Sequence, residues 1–248
     1  MRLLDDARIC LMIFTRLPVS WPEDLPKARI IRALQAAPII GLTSGVLAAV
    51  VYALAFWGFN GSVHICATLA VLSQVLTLRA YSDKFLSAQD ALPEGAAPIP
   101  SSPILFLAIL LKVFLVAEIA VVWQAGLALI ISGVLAQIAF VQILAWSKTS
   151  PDNSPSDGGA HPTAIEASTA SVFGAVVAGI ASVAAFQLSF LPPSLGAVVG
   201  AALGGGAMAL ATRKLREASP AQGLSACVFA AELGALLGLV ALLPNVGF

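Results

Sequence analysis

Between residues 36 and 243 the sequence passes through seven apolar stretches, near 36–58, 61–78, 103–123, 125–146, 168–191, 194–212 and 223–243. Each holds roughly 17 to 24 residues, the length a helix needs to cross the ~30 Å hydrocarbon core of a bilayer. Lipid offers no partner to a free backbone amide or carbonyl, so such stretches must fold as helices or close into a barrel, and the period-2 alternation of a barrel is missing. The chain is therefore expected to be all-α, a polytopic integral membrane helical bundle of about seven transmembrane helices forming a single membrane domain over 1–248. Charge usage agrees, since only 10% of residues are charged against roughly 25% in soluble domains.

The polar segments are 1–35, 79–102, 147–167 and 213–222, and they carry the basic residues. Arg2, Arg8, Arg16, Lys27, Arg29 and Arg32 lie in the first, Arg79 and Lys84 in the second, Lys148 in the third, and Arg213, Lys214 and Arg216 in the last. The alternate connections near 59, 124 and 192, and the tail, have none. Twelve of thirteen basic residues thus fall on one side, which the positive-inside rule assigns to the cytoplasm. The amino terminus is expected inside and the chain in the bacterial cytoplasmic (inner) membrane. Thirteen basic and thirteen acidic residues cancel, which gives no electrostatic footprint for nucleic acid. Cys10, Cys66 and Cys227 have no ligand spacing and read as small apolar side chains. The first apolar run is broken by Thr15, Arg16 and Pro18, so no cleavable signal peptide is expected. The segment "ARICLMIFTRL" is too short to span and is expected to lie along the membrane surface.

Every long polar segment faces the same side, so a soluble substrate would meet the protein there. In "RAYSDKFLSAQDAL", residues 79–92, Asp83, Ser87 and Asp90 are spaced i, i+4, i+7 and share one face of a helix continuing out of the membrane. Two carboxylates and a hydroxyl on one stripe suit Mg²⁺ held against a diphosphate, because that cation usually takes one or two carboxylates plus phosphate oxygens. Spacing alone favours a solvated helix end over a metal site. The small residues of "GAALGGGAMALA" and "GAVVAGIASVAA" read as close helix packing.

Three further stretches carry a resemblance to a known family. "FTRLPV" at 14–19, "AAPIIGLTSG" at 36–45, with its Pro-x-x-Gly-x-x-x-Gly opening, and "DKFLSAQDAL" after the second span are similar to the cobalamin synthase family, the adenosylcobinamide-GDP ribazoletransferases. Within the acidic stretch Asp83 and Asp90 stand for the family's first and third aspartates. Ser87 replaces the second, Lys84 a glycine, and Tyr81 a histidine. Near the carboxyl end, "AQGLSACVFAAE" carries Gln222 where the family has an aspartate and Ser225 where it has a glycine, while Glu232 sits where a glutamate is often found. The resemblance implies attack of the α-ribazole 5′-hydroxyl on the cobinamide-linked phosphorus of adenosylcobinamide-GDP, with release of GMP. By the same resemblance Mg²⁺ is held by Asp83 and Asp90, with Ser87 as an auxiliary ligand. Arg79 and Lys84 stand near phosphate, and Gln222 and Glu232 near substrate. The implied partners are those two substrates (or α-ribazole phosphate), the lipid bilayer and other late corrinoid enzymes. The replaced motif residues imply weak turnover. They also keep open a second reading, a catalytically inactive membrane paralogue acting as a scaffold or small-molecule carrier.

Three ionisable residues fall inside apolar stretches, where they are costly and mark function by default: Lys112, Glu118 and Glu232. Lys112 and Glu118 are six apart, about 240° around a helix, and cannot pair with each other. Glu118, near the end of its stretch, is expected to snorkel, and Glu232 to pack, carry a proton or touch substrate. His161, with Asp152, Asp157 and Glu166 nearby, lies in a Pro/Gly/Ser-rich loop and reads as solvated, and His64 as structural.

Overall fold

The computed structural model describes residues 8–9, 11, 14–15, 37–78, 101–119, 121–148, 191–211 and 220–242. They form six helices: α1 (Ala37–Gly58), α2 (Val63–Thr77), α3 (Ser101–Glu118), α4 (Val122–Lys148), α5 (Leu191–Ala211) and α6 (Pro220–Leu242). Among the described residues β-pairing is limited to an isolated antiparallel bridge between Thr15 and Leu78. The apolar stretch expected at 168–191 lies, apart from its last residue, outside them. Two helical segments, α1 and Val122–Gln142 of α4, are long and apolar enough to cross a membrane. Val63–Thr77, Leu195–Ala211 and Ala226–Leu242 are apolar but shorter.

Proline explains where several helices begin. Pro38, Pro103, Pro192, Pro193 and Pro220 all lie in the first turn of their helices. The first four amides of a helix have no acceptor within it, so a missing N–H costs nothing there. Several boundaries expected from hydropathy fall a few residues away from those of the helices. α3 is already helical at Ser101, inside the expected 79–102 segment, and α5 starts at residue 191 rather than 194. α6 starts at Pro220, so the expected 213–222 connection ends in a helix that includes Gln222. At its other end α4 runs to Lys148, past the expected start of the 147–167 connection. The connection expected near residue 124 lies instead at 119–121. Gly126, inside α4, faces Ala49, where a Cβ would approach the Ala49 Cβ to 3.3 Å. It is a packing glycine.

The α1–α2 turn is a Schellman motif. Asn60 (φ 53°) and Gly61 (φ 83°) are left-handed, and the Gly61 N–H donates to the Phe56 carbonyl at 2.9 Å. Asn and Gly are the residues that tolerate this conformation.

Glycines join the helices in two antiparallel seams. Along α1 and α4, a Cβ on Gly45 would lie 2.6 Å from Ile130 Cα, and one on Gly133 would lie 2.7 Å from the Gly41 carbonyl oxygen. Along α5 and α6, Gly196 faces Gly238, Gly200 faces Gly234 and Gly204 faces Ala230, each with no room for a side chain. The expected packing role of "GAALGGGAMALA" holds, while "GAVVAGIASVAA" lies outside the described residues. Such backbone approach supplies van der Waals attraction where lipid removes the hydrophobic drive between helices. α6 also packs on α4, α2 on α1, and α3 more lightly on α2 and α6.

This connectivity brings the starts of α1, α3 and α6 and the ends of α2, α4 and α5 to one end of the bundle. The amino-terminal segment docks there. Ile9 and Thr15 are buried, the Thr15 hydroxyl donates to the Leu11 carbonyl at 2.5 Å, and Phe14 meets Phe140 edge to face with centroids 5.2 Å apart. Leu11 and Phe14 pack against a cluster of Ile40, Leu78 and Phe229. The segment expected along a membrane surface therefore buries part of its apolar side on the bundle, because the open end of the helices offers aromatic partners.

Candidate functional site

Asp83, Ser87, Asp90, Arg79 and Lys84 lie outside the described residues. Their entry point is described. α2 closes at Leu78, whose N–H donates to the Gln74 carbonyl at 2.9 Å, and Leu78 is 7% exposed and bridged to Thr15. The acidic stretch thus departs from a pinned residue at the end where α3 and α6 begin. It re-enters the bundle at Ser101. Gln222 is the third residue of α6, at this same end. His161, Asp152, Asp157 and Glu166 are outside the described residues, among which no group of three or more His, Cys, Asp or Glu side chains is placed to hold a metal.

Glu232 is elsewhere. It is the thirteenth residue of α6, about 18 Å along the axis from Pro220 at 1.5 Å per residue. Its Oε1 accepts a hydrogen bond from Lys112 Nζ at 2.5 Å, and the two side chains are 4% and 1% exposed. Lys112 is the twelfth residue of α3. A charge in an apolar interior is costly unless paired and hydrogen-bonded, and here each supplies the other's partner. Lys112 is also the one basic residue that departs from the charge asymmetry of the connections. Glu118 closes α3 exposed, at the bundle's other end. The sequence contained the signal for this pair: one base and one acid, each nine residues into an apolar stretch of the same orientation. Facing was the missing term.

The bundle holds other buried polar atoms at several depths. Both amide atoms of Gln74, Gln137 Oε1 and the Tyr52 hydroxyl are buried without a hydrogen-bond partner among the described residues. Gln74 and Lys112 sit at similar depth, since Val75 and Ile109 pack into one cluster with Leu233. The buried hydroxyls of Ser44 and Ser132 are satisfied locally, donating to the Gly41 and Leu129 carbonyls. His64, one residue into α2, is exposed at the far end. Cys66 and Cys227 are buried, and Cys66 packs as an apolar side chain in the main core cluster.

The stretch that docks the amino terminus, opens α1 and ends α2 is also the stretch that a family model matches. Residues 6–82 match the CobS family, cobalamin-5-phosphate synthase. This is consistent with a divergent cobalamin synthase. The match ends one residue before Asp83 and covers about a third of the chain. It spans Phe14 and Thr15, the seam glycines Gly41 and Gly45, and the pinned Leu78. The chain matches no curated protein and no solved structure.

Proposed function

We propose that the protein is a cobalamin-synthase-like ribazoletransferase of the bacterial cytoplasmic membrane, multi-pass, with its amino terminus inside. The 5′-hydroxyl of α-ribazole attacks the cobinamide-linked phosphorus of adenosylcobinamide-GDP. A new P–O bond forms, the bridging P–O bond to GMP breaks, and the hydroxyl proton leaves to a nearby base. The observation that carries this reading is the family match over 6–82, which delivers the chain to the acidic stretch at the end of α2.

Phosphoryl transfer is catalysed mainly by alignment and neutralisation of charge. Asp83 and Asp90, seven residues apart, would hold Mg²⁺, with Ser87 as an auxiliary ligand. The metal would neutralise charge on the diphosphate. Arg79 and Lys84 would supply cations for phosphate oxygens, and Gln222, the third residue of α6, lies at the same end of the bundle. Twelve of thirteen basic residues on the loop side support the orientation. Exposed Leu54, Trp57, Phe106, Leu107, Phe114 and Leu203 support lipid around the helices.

A second reading, an inactive scaffold or carrier, is favoured by Ser87, Tyr81 and Gln222 standing where the resembled motifs have aspartate, histidine and aspartate. Complementation decides between them. A strain lacking the ribazoletransferase should grow without added vitamin B12 when given this chain, and no growth despite membrane expression would refute the transferase. Membranes from that strain should also release GMP from adenosylcobinamide-GDP only when α-ribazole is present.

A further inference from the structure

We propose that the Lys112–Glu232 pair is a positioning device, an ionic tie that sets the register of α3 against α6. It thereby sets the spacing between Ser101, where the acidic stretch rejoins the bundle, and Gln222. The inference rests on the transferase reading above for its functional half, and on geometry alone for its structural half.

α3 needs such a tie more than its neighbours do. The α1–α4 and α5–α6 seams are held by glycines that let backbones touch, but α3 contains no glycine and packs lightly. Its outward side chains Phe106, Leu107 and Phe114 are more than half exposed. Apolar surface against lipid gains nothing by choosing one neighbour over another, so apolar packing alone sets the depth of α3 weakly. The ion pair sets it strongly. Sliding α3 by one turn, about 5.4 Å, separates the charges and leaves both buried without each other. Register selection is the best attested role of a buried polar pair. Because α3 and α6 start at the same end of the bundle, any slip at Lys112 is carried to Ser101. Glu232, expected at the substrate, then acts from inside the bundle.

The test uses the full chain in native membranes, with Cys10, Cys66 and Cys227 replaced by alanine and a thiol pair introduced by Ala108→Cys and Phe229→Cys. These two positions meet in one cluster, so a short bifunctional thiol reagent reports the native register. Lys112→Met and Glu232→Met singly strand a charge and are expected to lower membrane expression. The informative chains are therefore the apolar double variant Lys112→Met/Glu232→Met and the swap Lys112→Glu/Glu232→Lys. The double variant should reach the membrane at parental levels with cross-linking reduced at least fivefold. The swap should return cross-linking to within twofold of the parent. In an active chain, kcat should follow the cross-linking yield through both variants, with KM for α-ribazole unchanged. Parental cross-linking in the double variant overturns the tie. Lost register with parental kcat overturns the positioning role. A parent chain without transferase activity refutes the reading of the previous subsection, and the cross-linking then decides the tie by itself.

Discussion

Substituting Gly133 tests whether backbone contact holds the α1–α4 seam. A Cβ at this position would sit 2.7 Å from the Gly41 carbonyl oxygen, and the obstacle is backbone, which cannot rotate away. Ordinary contact begins at 3.4 Å, so Gly133→Ala drives α1 outward by about 0.7 Å. An opening of 0.5–1 Å forfeits roughly a quarter to a half of each dispersion contact along the seam. In lipid no hydrophobic gain replaces that loss. Overpacking of this kind costs about 1–3 kcal/mol, or ~5- to 150-fold in the folding equilibrium. The Gly→Ala change also gains up to ~1 kcal/mol of helix propensity. Gly206→Ala in α5 isolates that gain, because no atom of the described residues lies within 4 Å of its Cβ. Reversible unfolding in mixed micelles, followed by tryptophan fluorescence, should place Gly133→Ala below Gly206→Ala by about 1–3 kcal/mol. Equal stabilities would refute the argument that these helices are held by backbone approach.

Removing one member of the buried ion pair, by Glu232→Gln or Lys112→Met, should destabilise the chain by about 3–5 kcal/mol in the same assay, while the apolar double variant stays within ~1 kcal/mol of the parent. Asn60→Gly should be close to neutral and Asn60→Ala should cost about 1 kcal/mol, because φ at this position is 53°; equal thermal stabilities of the two would deny a role to the left-handed cap. Phe14→Ala should remove an edge-to-face contact with Phe140 worth ~0.5–1.5 kcal/mol beyond its buried area, and should raise proteolysis of the amino-terminal segment. Asp83→Ala/Asp90→Ala should abolish the magnesium dependence of adenosylcobinamide-GDP binding by isothermal titration. Parental affinity in that variant would remove both carboxylates from the site.

The apolar stretches by themselves determined that this chain is helical, because their backbone amides need partners that only the chain can supply. Local chemistry also decided the close approach of glycine-bearing helix faces and the side on which the basic residues gather. Prolines marked helix starts, but only once their freedom in a first turn is weighed against their reputation as breakers. Facing had to come from tertiary structure. Lys112 and Glu232 are separated by 120 residues, and their charges, burial and depth were legible while their pairing was not. Gly126 serves as a helix contact, because whether a glycine bends a chain or admits a neighbour depends on what stands opposite. Local signals are written over a few residues along one helix. The choice of partner is a property of two helices at once, and it appears only when the bundle has closed.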